Sequence, residues 1–498
     1  MLHDVQLYSR ITKYLSHNSI HEYKTGQLKH DKKSLYSCLF VNRTWCEIVV
    51  PILWENPGQY HGYNSSMSKL FKSIILHLSE ESRDTLGIDN SITETYKRPL
   101  FNYIDYWKYL DISFIENLIF GRRIIKNSST SVIKNEILKL FINKNRNTKF
   151  IHLFIQDKYK KYYDYQLHHI SGAEHCFSNL ESFYCQGDVD QNVMKGLAKI
   201  CKSIKKFRFE YVSCCADISG IIKLIEVQKR LNDVDFTDDY YNNGLNTNKS
   251  FYKSLEESLI RHAETVHYLR MDWKPITRLL SYLPNLLSLE FNITHTKCWD
   301  ELDYLNDLSL PNLKILKTHR APSKSLVNLI ESTKGHLTEI DITYNDIDNE
   351  RLIQAIYQNC PNLRYLKISL MNNTNSLISE FENLLINCKL LSELIIEIYD
   401  RYINVFSWDK LFIILAKSAP IGLFKFKFHS KRFELEDFKL FFDNWKNRNP
   451  ILLTIGYNPF SISLKEYHQL VDLFEKYKVK EIIKKFFISC LFEEFEWN

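Results

Sequence analysis

The chain has 498 residues, of which 45% are hydrophobic and 25% charged, an ordinary composition for a globular protein with room for two or three domains. Its 13 glycines and 11 prolines are too few for a turn-rich β protein or for long disordered linkers. The net charge of +6 is too mild to indicate nucleic acid as a partner, and we expect none. Apolar runs such as Leu411–Ala416 are far shorter than a membrane span, and no secretory signal is visible.

Eleven cysteines are scattered along the chain, an odd number without a Cys-x-x-Cys pair. This distribution predicts reduced, mostly buried thiols rather than a disulfide framework. We therefore expect a cytoplasmic or nuclear location, or both.

The stretch Asp31–Trp54 carries apolar residues at helical spacings. Two short amphipathic helices joined around Asn42-Arg43 satisfy the pattern. A helix pair this small cannot bury both of its faces, so part of its apolar surface is expected to meet another polypeptide. The apolar positions are Leu35, Leu39, Val41, Trp45, Ile48 and Val49.

The order Ser34-Leu-x-x-Cys-Leu-x-Val-Asn-Arg-x-Trp45 resembles the second half of an F-box. Pro51–Pro57 resembles the segment that follows the F-box in fungal F-box proteins with leucine-rich repeats. The resemblance implies that residues 1–57 form a helical module that docks onto a Skp1-like adaptor and, through it, a cullin. Its adaptor-binding residues would be Leu35, Leu39, Val41 and Trp45. The first F-box helix is matched only in part, at Leu7, Ile11, Tyr14 and Leu15, so it is either displaced or degenerate.

Residues 58–145 carry two apolar stripes at helical spacing, which predicts a helical bridge after the N-terminal module. The first stripe consists of Leu70, Phe71, Ile74, Ile75 and Leu78, and the second of Val132, Ile133, Ile137, Leu138, Leu140 and Phe141. Between them lies the aromatic-rich run Pro99–Leu110, which we interpret as core rather than as a platform for a peptide or nucleotide.

From residue 146 to residue 498 a Leu-x-x-Leu-x-Leu pattern recurs at intervals of 20 to 35 residues, with conservative replacements. This pattern is typical of leucine-rich repeats, in which a short strand places alternate side chains inward and a return segment buries its own stripe against the strands. The sequence therefore predicts an α/β protein whose repeats form a solenoid with a parallel, concave sheet. The copies begin at Leu180, Ile204, Leu231, Val266, Leu286, Leu313, Leu337, Leu363, Leu391, Ile421 and Leu452.

Several return segments are predicted to be amphipathic helices. One stripe consists of Leu352, Ile353, Ile356 and Tyr357, another of Leu377, Ile378, Phe381, Leu384 and Leu385, and Ser463-x-x-Glu466 resembles a capping box that opens a third helix. Three copies open with Pro-Asn-Leu, at Pro284, Pro311 and Pro361, where proline stops the preceding helix and asparagine suits the turn. The phrase Cys360–Ile368 resembles the cysteine-containing class of these repeats, and Asn345 is the one clear asparagine at the end of a strand motif.

No phosphate loop, dinucleotide fingerprint, His-Glu-x-x-His or Gly-x-Ser-x-Gly motif occurs. His168, His169, His175 and Cys176 could ligate zinc, but their spacing matches no common site and we predict no metal. The carboxylate pairs Asp238-Asp239 and Glu256-Glu257 point apart on a strand or helix, so they form no acid/base pair. We therefore predict neither catalysis nor a cofactor.

Two basic, aromatic stretches remain. Lys158–Tyr163 could stack bases over a charged groove. Leu423–His429 alternates strictly, which predicts a half-buried strand with Phe424, Phe426 and Phe428 inside and Lys425, Lys427 and His429 outside. On a solenoid these outward residues would lie on the ligand-facing side, where they would either favour an acidic partner or merely be solvated.

Three hypotheses follow for the whole chain. The main one is a substrate-recruiting subunit of an SCF-type ubiquitin ligase, with the helical module on the adaptor and the solenoid on an unknown substrate protein. The second is a leucine-rich-repeat interaction scaffold whose F-box no longer engages a ligase. The third, supported only by the basic aromatic stretches, is an enzyme or nucleic-acid binder.

Overall fold

The computed structural model describes residues 32–60, 66–88, 99–120, 130–145, 148–156, 167–187, 189–210, 217–237, 249–273, 275–292, 308–319, 321–343, 349–370, 374–398, 408–430, 433–456 and 464–489. Contacts divide the chain into two compact units, Met1–Lys229 and Arg230–Asn498. Each unit has the same layered construction, so the two are described in turn.

The first unit opens with helices and continues as alternating strands and helices. Its helices are α1 (Lys32–Cys38), α2 (Arg43–Leu53), α3 (Ser66–Ile75), α4 (Glu80–Thr85), α5 (Ile112–Phe120), α6 (Thr130–Phe141), α7 (Ala173–Cys176), α8 (Gln191–Ile200) and α9 (Ser219–Glu226). Its strands are β1 (Tyr109–Asp111), β2 (His152–Gln156), β3 (Ser182–Gln186) and β4 (Lys206–Glu210). Short 3-10 helices lie at Pro57–Tyr60, Tyr103–Tyr106 and Leu167–His169.

The second unit repeats the strand-and-return pattern through all of its described residues. Its strands are β5 (Asp233–Thr237), β6 (Tyr268–Met271), β7 (Ser288–Asn292), β8 (Ile315–His319), β9 (Glu339–Thr343), β10 (Tyr365–Leu370), β11 (Glu393–Ile398), β12 (Lys425–His429), β13 (Ile451–Gly456) and β14 (Ile483–Ser489). Its helices are α10 (Lys249–Ile260), α11 (Ser323–Ser332), α12 (Asn349–Asn359), α13 (Asn375–Asn387), α14 (Trp408–Ser418), α15 (Leu435–Asn444) and α16 (Leu464–Val479), with a 3-10 helix at Leu279–Tyr282.

Within each unit every strand pairs in parallel with the strand that comes next in the chain. Most strands bury alternate residues, as the period-two geometry of a strand dictates when only one face of the sheet is covered. Return helices cover that face: the ring of Phe412 on α14 lies 5.1 Å from that of Phe428 on β12. Short parallel strands joined by amphipathic return segments are leucine-rich-repeat architecture, as predicted.

The five residues of the predicted stripe on α13 are its buried residues, and the stripe on α12 is buried except at Tyr357, which is only partly covered. The stripes of α3 and α6 are also largely buried, as predicted for the bridge. The aromatic run between them contributes a strand as well as core: β1 pairs with β2, so the parallel sheet begins at Tyr109, before residue 146.

Nine of the eleven predicted repeat frames are confirmed by burial of their motif residues, from Leu180 to Leu391. Two further copies precede them, Trp107-x-x-Leu110-x-Ile112 and Phe150-x-x-Leu153-x-Ile155, and all six of these side chains are buried.

The last two predicted frames are wrong. Ile421 is 85% exposed, whereas Leu423, Phe426 and Phe428 are buried, so this copy begins two residues later and Phe424 is only partly covered. In the next copy Leu453 pairs with Phe426 and faces the core, which leaves Leu452 on the other face. Strict alternation of phenylalanine and lysine fits more than one register, and the buried Leu423 decides between them.

The described cysteines, Cys38, Cys46, Cys176, Cys185, Cys201, Cys360 and Cys388, are free thiols, and all but Cys46 are buried. Burial raises the pKa of the Cys201 and Cys388 thiols to about 12. These groups are protonated at neutral pH and serve as small apolar side chains of the core. Within the described ranges no helix has both the length and the apolarity needed to span a bilayer.

Candidate functional site

Helices α1 and α2 form the predicted pair, and the turn between them is fixed by Asn42. Its side-chain oxygen accepts a hydrogen bond from the backbone N–H of Trp45 at 3.0 Å, which caps the first turn of α2. The thiol of Cys46 donates to the carbonyl of Leu39 at 3.0 Å across the same turn. The sharp reversal at Asn42 therefore brings the apolar sides of the two helices together.

The helix pair has a small core of its own. Leu35, Cys38, Val49 and Leu53 are buried together, and Leu39, Trp45, Ile52 and Trp54 pack against them while remaining partly exposed. Of the four predicted adaptor-binding residues, Leu35 is therefore buried inside the helix pair, with only 2% of its surface exposed. Leu39 and Trp45 lie at the border of this core, and Val41 is 57% exposed.

The end of α1 and the turn that follows present an apolar patch to solvent. Phe40 is 89% exposed, Val41 57% and Tyr36 48%. We call Tyr36, Phe40 and Val41 the turn patch. Contiguous apolar side chains left in water at a tight turn are the kind of surface that partner proteins cover.

Phe40 and Tyr36 are absent from the predicted set for a physical reason. Helical spacing selects the residues that lie on the buried stripe, and these are the residues a small helix pair needs for its own core. The residues left for a partner lie off that stripe. Large apolar side chains at off-stripe positions, such as Phe40 beside Leu39, are therefore the signal that could have found them.

The helix pair is fastened to the first repeat within the first unit. The backbone N–H of Lys108 donates to the carbonyl of Glu55 at 3.0 Å, just before β1, and their side chains form an ion pair at 3.4 Å. The ring of Trp54, directly after α2, stacks on Tyr103 with a centroid distance of 4.2 Å. The turn patch therefore sits on a body that is continuous with the repeats, not on a free arm.

The second candidate surface is the uncovered side of the strands, which we call the open face. In the first unit it is aromatic: Tyr109 stacks on His152 at 4.0 Å, and Phe154 stacks on Tyr184 at 4.4 Å. The guanidinium of Arg208 lies over the Tyr184 ring at 5.2 Å. These rings cover one another's faces, so the open face offers ring edges and polar groups to a partner.

In the second unit the open face carries a row of alternating charge. The register of the sheet places Asp235, Arg270, Glu290, Lys317, Asp341 and Lys367 side by side on β5 to β10. Neighbouring strands are about 4.8 Å apart, so each of the four inner charges of the row has an opposite charge on either side. Arg270 lies 3.4 Å from Glu290 and 3.7 Å from Asp235, and Lys367 lies 3.5 Å from Asp341. Three acids and three bases leave this row without net charge.

Asp341 and Lys367 are half-buried, and their surroundings shift both of their pKa values. Burial raises the pKa of Asp341 to about 6, although the Lys367 ammonium opposes the shift. Lys367 is shared with Glu397, which lies 3.4 Å away, so one cation serves two carboxylates. Burial alone would lower the pKa of Lys367, but Asp341 and Glu397 hold it above its usual value.

The other predicted features are placed as follows. Among the described residues no group of three or more His, Cys, Asp or Glu side chains is positioned to hold a metal ion, and the cluster at His168 is no exception. Lys425, Lys427 and His429 point to the open face as predicted. Lys158–Tyr163, Asp238-Asp239, Asn345 and the Ser463 cap lie outside the described residues, as do residues 1–30.

The predicted divergence of Glu256 and Glu257 is confirmed on α10. Glu256 is fully buried, and its carboxylate accepts hydrogen bonds from the Trp273 indole and from the backbone N–H groups of Ile276 and Thr277, at 2.6 to 3.0 Å. Glu257 is exposed and forms an ion pair with Lys253 at 3.7 Å. Glu256 therefore has a structural role, anchoring the segment around Thr277 to α10.

Comparison with known proteins finds similarity among solved structures. No protein-family model matches the chain, and no curated protein matches it either. Among solved structures, 56 chains match, including the leucine-rich repeat-containing protein LegL7 from Legionella pneumophila. That alignment has 11% sequence identity and a TM-score of 0.31, and covers 67% of this chain and 90% of the other. With values this low, we draw nothing about function from this neighbour.

Proposed function

We propose that this chain is a substrate-recruiting subunit of an SCF-type ubiquitin ligase. Its helix pair binds a Skp1-like adaptor, and through it a cullin, while its repeats hold a target protein. The chain performs no chemistry itself: holding the target beside a ubiquitin-charged enzyme raises the effective concentration of the target's lysines. Leucine-rich repeats are an interaction fold, which agrees with the second half of this proposal.

The single observation that carries the proposal is the turn patch on a helix pair with F-box-like sequence. The patch lies beside Leu39 and Trp45, which are themselves only partly covered. The Glu55–Lys108 and Trp54–Tyr103 contacts give additional support, because a ligase subunit must hold its target at a defined distance from the adaptor. The proposal places the protein in the cytoplasm or nucleus, where such ligases act.

Affinity capture of the full chain from cells, with the Skp1-like adaptor detected by mass spectrometry, tests the proposal. We expect Phe40→Asp and Val41→Asp each to lower the recovered adaptor roughly tenfold, because each places a charge in an apolar contact. Leu100→Asp is the matched control, since Leu100 is 93% exposed in the same unit but outside the helix pair. It should leave capture unchanged.

Both aspartate substitutions replace exposed residues, so the fold is expected to survive, and circular dichroism of the purified variants checks this. Wild-type recovery of the adaptor by folded Phe40→Asp and Val41→Asp chains would refute the docking surface. Absence of the adaptor from the wild-type capture would refute the ligase role itself.

The second candidate is a leucine-rich-repeat scaffold without a ligase role. One observation favours it: Leu35, one of the four residues the F-box resemblance assigns to the adaptor, is enclosed by Cys38, Val49 and Leu53. Under this alternative the turn patch binds some other protein. Capture that recovers a partner sensitive to Phe40→Asp, but no adaptor or cullin, would select it.

A further inference from the structure

A cavity of about 640 Å³ lies in the first unit, beside the C-terminal end of α6. One wall comes from α6 and the turn that follows it, within residues 135–145, and the other from the 3-10 helix and turn at residues 167–171. Its volume falls within the range of small-molecule sites, about 300–1,000 Å³. None of the described residues that line it belongs to the turn patch or to the open face of the strands.

The two walls are held together by contacts of their backbones. Gly172, directly after the second wall, has a φ of 102°, and a Cβ there would lie 2.2 Å from the backbone nitrogen of Lys144. Only glycine allows this close approach. The thiol of Cys176 also donates to the carbonyl of Asn143, at 3.8 Å. The cavity is therefore preformed, and a ligand does not have to open it.

The buried part of the lining is aliphatic. Leu138 and Ile142 on α6 and Leu167 on the opposite wall are each at most 3% exposed. Ile170 adds a partly covered side chain. Water beside such groups has few hydrogen-bond partners, so this part of the cavity favours a compact apolar group.

The exposed part of the lining is polar. Asn135, Asn145, His169 and Ser171 are exposed, and within the described part of the chain their side chains form no hydrogen bond. The His169 ring packs on that of His168, with a centroid distance of 4.0 Å, which positions it. Amide, hydroxyl and imidazole groups can all donate hydrogen bonds, so a bound molecule meets four side chains whose donors are free.

The lining is also positively charged, and none of its described residues is acidic. Lys139 forms an ion pair with Glu136 at 2.7 Å, which offsets its charge. Lys144 is exposed and has no acidic partner among the described residues. One uncompensated ammonium group therefore stands beside the free donors.

We propose that this cavity binds a small organic anion, in which a carboxylate or phosphate group is joined to a compact apolar body. The anionic group pairs with Lys144 and accepts hydrogen bonds from the exposed polar side chains. The apolar body covers Leu138, Ile142 and Leu167. This inference goes beyond the proposed function, and it depends neither on the adaptor contact nor on a target protein.

Other classes of small molecule use only part of this site. A neutral polyol leaves the charge of Lys144 unmatched, and inorganic phosphate leaves the aliphatic surface uncovered. A cation is repelled by the ammonium groups of the lining. A neutral analogue and inorganic phosphate therefore serve as control ligands.

The probes are phenyl phosphate and benzoate, and saturation-transfer-difference NMR with the full chain measures their affinities at physiological ionic strength. We expect saturable binding, and the tighter probe shows whether the site prefers phosphate or carboxylate. Lys144→Glu should weaken binding roughly tenfold, because it places a carboxylate against the anion. Lys149→Glu is the matched control: it changes the net charge equally at an exposed lysine of the same unit outside the cavity, and it should bind as the wild type does.

Ser171→Trp tests the location of the site without changing charge. Ser171 is exposed and lines the cavity, so an indole at this position should occupy part of the space and weaken binding of both probes. Ser178→Trp, at an exposed serine shortly after α7 and outside the lining, is its control and should leave binding unchanged. Circular dichroism checks the fold of each variant, and Lys144→Gln replaces Lys144→Glu if charge reversal impairs folding, with the same expected direction.

Four results would overturn the proposal. They are absence of saturable binding of both probes to the wild type, wild-type affinity in folded Lys144→Glu, wild-type affinity in folded Ser171→Trp, and binding of neutral benzyl alcohol or of inorganic phosphate as tight as that of phenyl phosphate and benzoate.

Discussion

Among single residues, Asp341 illustrates how a half-buried charge links this fold to pH. Its pKa rises to about 6 in the folded chain from 3.8, because burial disfavours the carboxylate more than the shared Lys367 favours it. The folded state therefore binds a proton between these values more readily than the unfolded state does. The resulting stabilisation is fully present below pH 3.8 and is lost as the pH rises through 6.

Replacing Asp341 with asparagine should remove this pH dependence. Between pH 4 and pH 7 the free energy of unfolding of the wild type should fall by about 1–3 kcal/mol more than that of Asp341→Asn. Urea titrations at several pH values measure the free energy of unfolding of both proteins. Subtracting one profile from the other removes the contributions of other groups that titrate in this range. Lys367→Gln should move the decline to higher pH, since the nearby cation is lost. Parallel profiles for the wild type and Asp341→Asn would contradict the assignment.

Glu256 is a buried carboxylate whose loss of hydration is offset by hydrogen bonds within the protein. We expect Glu256→Ala to lower the free energy of unfolding by roughly 2–4 kcal/mol, because the Trp273 indole and two backbone N–H groups lose their acceptor inside the protein. Its neighbour provides the control: Glu257→Ala removes an exposed ion pair and should change stability by less than about 0.5 kcal/mol. Chemical denaturation compares them, and similar losses in the two variants would exclude the anchoring role.

Among the elements, four of the turns that precede strands share one contact. In each, the asparagine just before the repeat's first motif residue donates its side-chain N–H to a backbone carbonyl in the preceding turn. Asn312 donates to Pro284 and Asn362 to Gly335, both at 3.0 Å; Asn285 donates to Glu264 at 3.0 Å and Asn449 to Ile421 at 3.3 Å. The acceptor is always two residues before the first motif residue of its own repeat, counted with Leu423 as the start of the β12 copy. The asparagines thus lock neighbouring turns together.

Removing one of these bonds should be measurable but mild. Asn362→Ala is expected to cost about 0.5–1.5 kcal/mol in the free energy of unfolding, toward the lower end because the bond is exposed to water. Lys324→Ala, at an exposed helical position on α11, is the control and should be nearly neutral. Equal stability of Asn362→Ala and wild type would mean that the turn geometry is fixed by the backbone alone.

For the molecule as a whole, most of the repeat frames can be predicted from the sequence, and the exceptions have physical reasons. The repeat frames from Leu180 to Leu391 follow from sequence because each needs at least two buried apolar residues at fixed spacing. The pattern does not include the copies at Trp107 and Phe150, because an aromatic residue stands in the first position of each. At β12 the alternating residues satisfy several registers, and the one observed buries Leu423 and packs Phe426 and Phe428 against α15 and α14.

The candidate site was predictable to a lesser degree. The helix pair and its turn follow from spacing and from the capping residue Asn42. Which side chains remain for a partner depends on what the pair uses for its own core. Leu35, expected on the surface, is buried in that core, whereas Phe40, which the spacing does not select, is exposed. The charge row on β5 to β10 lies at the variable positions of the repeat, so it becomes visible only when neighbouring frames are aligned strand by strand.

The asparagine bonds between turns have a direction. In each case the donor belongs to the later repeat and the acceptor to the earlier one, so a ribosome that delivers the chain from its N-terminus supplies every acceptor before the donor that needs it. A newly emerged turn can dock onto its finished predecessor without waiting for anything downstream. In these four cases each folded turn provides the acceptor to which the asparagine of the following repeat binds.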